Sequence, residues 1–497
     1  MNKKSISWGA ARTAAIQAIC TALLLTGCET GPVYHKPDVK TPENWDSQGL
    51  GTQSGLLPGE WWDLFKDPEL DQLESEVQKA NPTLKEAISH VDQSRAMARV
   101  AGSRLFPQLT LDPSITSLHL AADQVPPELT ATAYTIPLDL EYEVDLWGRV
   151  RHSLENARAQ AQATVADYAA IRLMLQADVA VNYFQLREKD RELEFQRQKV
   201  SILAVREHIM QIRYRSGLTS DLESETAQQE LESGQKTLEE EERQRTDFQH
   251  AIALLCGQPS PGFQVPVAKW NPTLPLVPLA LPSTLLERRP DVESAERKLA
   301  AACAREGMAT ADFFPSIDLV AGAGYSTFSP ESLVTWQSQY FQAGPNVSLP
   351  LLNGGRLRAS LKGARADYQA SLSLYQKQVL KAFRDVSDAL EDSHNFEKQW
   401  AAQEQKVKSA CHESLLWTER WNHGLVNELD AQPAQLSEIE AQTEAIHLET
   451  LQLIAAVHLI KALGGGYQAP MESTQKIQHQ IRASESTPAG MAPKIRG

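Results

Sequence analysis

The sequence is poor in the apolar runs that a polytopic helical membrane protein needs, several stretches of ~20 residues each. Its mean hydropathy is −0.36. It also lacks a basic excess: 48 Lys+Arg against 63 Asp+Glu give a net charge of −15. That argues against a nucleic-acid binder, which carries a basic face. Cysteine is scarce, five in 497 residues. Beyond Cys20 and Cys28 there remain Cys256, Cys303 and Cys411, with no CxxC pair, which excludes a disulfide scaffold and offers no metal site. No HExxH, GxSxG or Walker loop accompanies the twelve histidines, so no enzyme is expected. Disorder along the whole chain is excluded too, since 42% of residues are hydrophobic. What remains is a soluble multi-domain protein, or a membrane protein that spans lipid without apolar helices.

The start of the chain favours a lipid anchor. Lys3, Lys4 and Arg12 precede an apolar stretch from Ala14 to Leu25, of signal-peptide length and too short to span a bilayer. Leu25-Thr26-Gly27-Cys28 follows and resembles a bacterial lipobox. Residues 1–27 then read as a lipoprotein signal peptide, with Cys28 carrying an S-diacylglycerol and an N-acyl group, and Glu29 implies sorting to the outer membrane. No other cofactor is expected.

Self-comparison shows a two-fold repeat of about 207 residues. Asn81-Pro82 answers Arg289-Pro290, and Leu105-Phe106-Pro107 answers Phe313-Phe314-Pro315. Gly148-Arg149-Val150-Arg151 answers Gly355-Arg356-Leu357-Arg358, Tyr214 to Leu218 answers Trp421 to Leu425, and Leu255-Cys256-Gly257 answers Ala462-Leu463-Gly464. The chain thus divides into an N-terminal segment 28–80, a first repeat 81–258, a Pro-rich linker 259–288, a second repeat 289–466 and a polar tail 467–497. Each repeat reads as helix, β-hairpin, very long helix, return helix.

The long helices are expected over 148–216 and 355–423, where no proline interrupts and apolar residues keep to one face. In the second they run Leu361, Ala364, Tyr368, Leu372, Tyr375, Val379, Phe383, Val386 and Leu390, the seam of a coiled coil. Helices of that length measure roughly 100 Å. Gly217 and Gly424 stop them. Return helices are expected over 220–256, opened by a Ser220/Glu223 capping box, and over 430–463. With Asp430 as the N-cap of the latter, Pro433 falls at the third helical position, where no intrahelical donor is lost.

Hairpins are expected at 108–118 with 134–146 and at 316–327 with 340–351. Their strict two-residue period matches a transmembrane β-strand, with Ile136, Leu138 and Leu140 on one face and Asp139, Glu141 and Glu143 on the other. Four strands cannot close a barrel, and lipid tolerates no open edge. The protomer must therefore oligomerise; three copies give twelve strands. The polar face then lines water with Asp139, Glu141, Glu143 and Asp318.

Several further motifs accompany these: Gly31-Pro32-x-Tyr34-x-x-Pro37, Trp61-Trp62-x-Leu64-Phe65-x-Asp67-Pro68-x-Leu70, Asp145-Leu146-Trp147-Gly148-Arg149 and Ala462-Leu463-Gly464-Gly465-Gly466. In this order they resemble the outer membrane factor (TolC-like) family of tripartite efflux pumps, closest to its NodT-like lipoprotein branch. The resemblance covers nearly the whole chain past Cys28. It implies a mainly α homotrimer with a 12-stranded outer-membrane β-barrel continued by a periplasmic α-helical barrel. An equatorial belt would come from the N-terminal segment, the linker and the tail. It implies an exit duct for small molecules, partnered by a periplasmic adaptor and an inner-membrane transporter of the resistance–nodulation–division class. A protein-secretion duct or a trimeric periplasm-spanning structural protein are the alternatives. The family's periplasmic gate, a Leu and an Asp, corresponds to Leu429 and, since Pro433 stands where the Asp would fall, to Asp430 or to Glu428 and Asp430 together, among tip acids that include Asp221, Glu223 and Glu225. For those three, stabilising the helix N-terminus is the preferred reading. Adaptor docking is expected at Tyr214, Gly217, Leu218, Trp421, Gly424 and Leu425.

Overall fold

The computed structural model describes residues 30–39, 57–120, 129–268, 270–278 and 288–467. The expected signal peptide, Cys28, part of the linker and the tail beyond Tyr467 lie outside them. A 3₁₀ turn, Trp61–Phe65, leads into α1 (Pro68–Ala80) and α2 (Pro82–Ser103). Strands β1 (Gln108–Leu111), β2 (Ser114–Leu120) and β3 (Leu129–Glu143) precede the long helix α3 (Arg149–Arg215) and its return α4 (Asp221–Leu255). The second half repeats the order: α5 (Pro290–Ala311), β4 (Ser316–Thr327), β5 (Gln339–Ser348), α6 (Arg356–Asn422) and α7 (Glu428–Ala462). Helices α3 and α6 both have 67 residues, and α4 and α7 both have 35.

The chain forms two compact units, and neither is a sequence repeat. One gathers residues 88–166 and 294–378 with the segment 30–39; the other gathers 57–87, 167–293 and 379–467. Each unit draws on both repeats, because helices as long as α3 and α6 contribute to both.

The first unit is built on one antiparallel sheet in the order β1/β2, β3, β4, β5. β1 and β2 are one strand in a single register on β3, from Gln108↔Glu141 through Leu111↔Leu138 and Ser114↔Thr135 to Leu120↔Leu129. The break between them falls at residues 112–113, where Pro137 stands opposite Asp112 and has no N–H to give the Asp112 carbonyl. Ladder parity shows which residues face the open edges. The Val144 N–H donates to Ile317 O and the Asp112 N–H to Pro137 O. Odd-numbered residues of β1/β2 and of β5 therefore turn their backbone groups away from the sheet, and Pro113 and Pro345 both fall at such positions. Edge strands are where proline costs no existing hydrogen bond.

Strand limits differ from the expected ones. β3 starts at Leu129 rather than 134, since pairing continues past the apolar alternation through hydroxyl pairs such as Ser117 Oγ with Thr132 Oγ1 at 2.9 Å. It ends at Glu143 rather than 146 because Asp145 turns to cap α3, accepting from the Val150 and Arg151 N–H groups at 3.1 and 2.9 Å. β5 runs 339–348 rather than 340–351, stopping before Pro350.

In the second unit four helices pack side by side in the order α4, α3, α7, α6. Arg206–Glu230, Arg197–Glu242 and Arg245–Asp190 tie α3 to α4. Lys461–Asp178, His447–Glu188, Arg191–Glu449 and Lys199–Glu440 tie α3 to α7. The repeat persists at the level of single bonds. Gln196 Nε2 donates to Gly234 O at 2.8 Å, and Gln403 Nε2 to Ala441 O at 2.7 Å. Among the described residues α7 alone is long and apolar enough to cross a bilayer, yet 56% of that window is buried against protein.

Candidate functional site

The sheet has two chemically distinct faces. On one, paired residues form apolar rows: Leu109–Leu140–Ala321–Ala343, Leu111–Leu138–Ala323–Phe341 and Ile136–Tyr325. Leu109, Leu111, Ile115, Phe341 and Val347 are exposed. From Val144 to Tyr134 the rows span ten residue steps, about 34 Å of strand. Tilted near 45°, that is about 24 Å, the height of an outer-membrane apolar band.

The other face carries the predicted lumen acids together. Asp139 lies opposite Gly322, Glu141 opposite Val320 and Glu143 opposite Asp318. Like charges facing each other repel, and the Glu143–Asp318 pair is relieved by Arg149, which holds Glu143 in a two-pronged ion pair. At the foot of this face a cavity of about 460 Å³ collects Glu141, Glu143, Asp312 and Asp318 with Arg149 and Arg356. A Gly322-x-Gly324 pair, which carries no chemistry as a motif, is required for packing here. A Cβ at Gly324 would stand 2.2 Å from Ile136 O, and one at Gly322 2.9 Å from Asp139 Oδ1.

The helix tips repeat to the bond. Leu218 N–H donates to Arg213 O and Gly217 N–H to Tyr214 O; Leu425 N–H donates to Arg420 O and Gly424 N–H to Trp421 O. Both are Schellman turns, with Gly217 and Gly424 at φ 70° and 71°. The predicted docking residues Tyr214, Leu218, Trp421 and Leu425 are all on the surface of these turns.

The second return helix departs from expectation. Its N-cap is Asn427, not Asp430, and Asp430 is the third helical residue of a capping box. The Asn427 side chain accepts from the Asp430 N–H at 3.1 Å, and the Asp430 carboxylate accepts from the Asn427 N–H at 3.1 Å. Asp430 is thus the counterpart of Glu223, which closes the same box with Ser220. Pro433 consequently stands at the sixth helical position, inside the helix, where it removes the bond to Leu429 O. Asp221 begins α4 beside Tyr214, whose hydroxyl is raised above the usual phenol range by that carboxylate. Glu428 and Leu429 occupy the first turn of α7 and are half-buried.

An N-terminal strap, residues 30–39, lies on the first unit. Thr30 N–H and Oγ1 both donate to Trp147 O, at 3.1 and 2.9 Å. His152 Nε2 meets Thr30 O at 2.9 Å, and Tyr34 bonds Glu296. Burial, with Glu296 beside it, pushes the Tyr34 hydroxyl well above the usual phenol range. Gly31 fits at φ 128° because a Cβ there would meet Gly307 Cα at 2.8 Å.

Comparison with known proteins accounts for these surfaces. The profile of the outer membrane efflux protein family matches residues 73–258 and again 281–465. The chain belongs to this family. It is 31% identical to the pyoverdine export outer membrane protein OpmQ of Pseudomonas putida, over 90% of this chain and 96% of that protein. It is 30% identical to the toluene efflux pump outer membrane protein TtgI of P. putida, over 90% and 97%. Its fold matches the solved outer-membrane channel OprN with a TM-score of 0.81 and 25% identity, covering 88% of this chain and 99% of that one. The outer membrane channel MtrE of Neisseria gonorrhoeae matches with TM-score 0.78 and 26% identity, over 89% and 99%. For an outer membrane efflux protein with this TolC-like fold, the apolar sheet face is the lipid-facing one.

Sequence reading missed one constellation. Arg187, buried in α3, reaches Asp190 Oδ2 and Pro266 O at 2.9 and 2.8 Å and also pairs with Glu69. Asp67 accepts from Tyr183 and Trp270 beside it. These residues bind α1, α3 and the linker together. An arginine inside an apolar α3 seam, at the level of Tyr183 and Leu186, was the available signal.

Proposed function

We propose that this outer membrane efflux protein acts as a homotrimer, the exit duct of a tripartite pump, and that it performs transport without catalysis. The observation that carries the reading is a four-stranded sheet with one apolar face, one acidic face and two unpaired edges. Such edges cannot stand in lipid, and three copies pair them into a twelve-stranded ring. Asp139, Glu141, Glu143 and Asp318 of each copy then face the water path and favour cations.

The helix tips supply the periplasmic end. The apolar side chains Leu218, Trp421 and Leu425 offer an adaptor a paired, quasi-repeated grip, as interface aromatics and their neighbours do. The adaptor in turn links the duct to an inner-membrane transporter, of the resistance–nodulation–division class. Relatives named for pyoverdine, toluene and solvent export favour small molecules over proteins as cargo.

A lipid at Cys28 anchors each copy. The strap supports this, since Thr30 is bonded to Trp147 at the foot of the strands. Cys28 is two residues upstream of Thr30, a reach of at most about 7 Å.

Planar-bilayer recording tests the duct. Small, cation-biased openings are expected from the reconstituted chain; a structural spacer gives none. Glu428→Gln with Asp430→Asn removes the tip charge while leaving a side-chain oxygen for the Asn427 N–H. That variant is expected to leak several-fold more than wild type. An unchanged conductance places the gate elsewhere.

A further inference from the structure

The loop between β4 and β5, residues 328–338, turns four hydroxyls at its base and core inward and its bulkiest side chains outward. Two 3₁₀ turns, Pro330–Ser332 and Trp336–Ser338, fold it back on itself. Ser338 Oγ donates to Ser332 O at 2.6 Å and Thr335 Oγ1 to the same oxygen at 2.8 Å. Thr327 Oγ1 meets Ser332 Oγ at 2.9 Å and accepts from the Ser329 N–H at 3.2 Å. The hydroxyls of Thr327, Ser332, Thr335 and Ser338 are thus used up inside the loop and Ser338 is buried, while Ser329, Glu331 and Gln337 stay at the surface. Meanwhile Phe328 and Val334 are both 72% exposed and Trp336 is 81% exposed. Glu331 is the only charged residue in the loop.

A loop meant for water shows the reverse pattern, because satisfied polar groups inside and bare apolar groups outside suit a low-polarity boundary. The same strands say which boundary. Their lipid-facing rows end, toward this loop, in Tyr134, Tyr325 and Phe341. On the opposite face the rows nearest the loop are Gly324–Tyr340 and Asp139–Gly322–Gln342, a single tyrosine among polar groups and glycines rather than an apolar band. Aromatic side chains concentrate at the membrane–water interface, where an amphipathic ring such as indole is half in lipid and half in water.

We propose that the β4–β5 loop is an outer-leaflet anchor, with Phe328, Val334 and Trp336 seated in the lipid headgroup region. The proposal rests on the strands of the first unit spanning the membrane. It adds a third attachment of each copy to lipid, beside the strand faces and the Cys28 lipid.

The test uses the full chain reconstituted in phosphatidylcholine vesicles, with Trp336 emission isolated as the difference between wild type and Trp336→Phe. Acyl-brominated phosphatidylcholine should quench that emission about two-fold, and aqueous iodide should quench it much less than it quenches free tryptophan in solution. A second probe, Phe341→Trp in the Trp336→Phe background, reports on the strand face itself. Trp336 open to iodide and untouched by brominated lipid, with the residue-341 probe quenched, overturns the anchor and leaves the spanning strands standing. Trp336 shielded from both quenchers overturns it as well, since another protein surface then covers the loop. A residue-341 probe that brominated lipid fails to reach overturns the spanning strands, and the anchor falls with them.

Discussion

Glu74 is a buried acid of the second unit whose charge nothing compensates. It is fully buried in α1, and neither carboxylate oxygen meets a hydrogen-bond partner. Burial first, and the nearby Asp71 charge second, raise it well above the usual carboxylate range. The folded chain therefore holds a proton that the unfolded chain releases near the ordinary Glu value of 4.5. The contribution of Glu74 to stability is therefore most favourable below that pH and declines as pH rises toward the folded value. Glu74→Leu, which fills the same space between Leu70, Leu73 and Val77, should raise unfolding stability at neutral pH by on the order of 1–3 kcal/mol. The gain should shrink at pH 4. Thermal melts of both proteins at pH 4 and pH 8 decide this; an equal gain at both pH values would mean that Glu74 is not held neutral. Position 74 shares the helical spacing of Leu70, Leu73 and Val77, yet an acid there is recognised as core only from its burial. Arg187 is the contrasting case, a buried charge with Asp190, Glu69, Pro266 O and the Tyr183 ring arranged around it and only its Nε left without a hydrogen-bond partner.

At the scale of elements, what could be read from the sequence was whatever repeats. The lengths of α3 and α6, the Gly217 and Gly424 turns and the alternation of β3 and β4 follow from residue spacing alone. The start of α7 did not, because Pro433 invites a first-turn position and so pushes the cap to Asp430. The structure resolves the conflict the other way. Asn427 matches Ser220, Asp430 matches Glu223, and the capping box prevails at the expense of one helical hydrogen bond. That bond is missing one turn from the proposed gate, so the tip of α7 should open more readily than the tip of α4. Hydrogen exchange measures this directly. Pro433→Ala restores a donor for Leu429 O and should slow exchange over the first two turns of α7 several-fold. Asn427→Ala should speed it, by the ~1 kcal/mol that a cap contributes. Unchanged exchange in both would mean that packing against α6 and α3, rather than the backbone, holds the tip. The capping side chains of the two return helices also show why role and identity part company at the far ends. Asn81 Nδ2 bonds Leu255 O, and Arg289 Nη1 bonds Ala462 O, two different residues closing equivalent helix ends.

For the whole molecule, the open question is how lateral surfaces left bare in each unit become covered. In the helical unit, among the described residues, α4 has α3 and α6 has α7 as its neighbouring helix. In the sheet unit the bare surfaces are backbone, and there the argument can be made residue by residue. Ala343 turns its N–H to the open edge of β5, whereas Gln342 turns its own toward β4. A proline at 343 therefore removes a donor that the single chain never uses, and a proline at 342 breaks the sheet of the chain itself. If an edge of a second copy pairs there, Ala343→Pro should leave helical circular dichroism unchanged while weakening the oligomer. Each lost inter-strand bond is worth about 1 kcal/mol, and threefold symmetry triples it. Sedimentation of the detergent-solubilised proteins at falling concentration reads the difference. Wild type should persist as a trimer over a range in which Ala343→Pro dissociates to folded monomers. A monomeric wild type removes the need for any partner at that edge. An Ala343→Pro variant as stable as wild type means that the helices hold the copies together, with the strand seam contributing little.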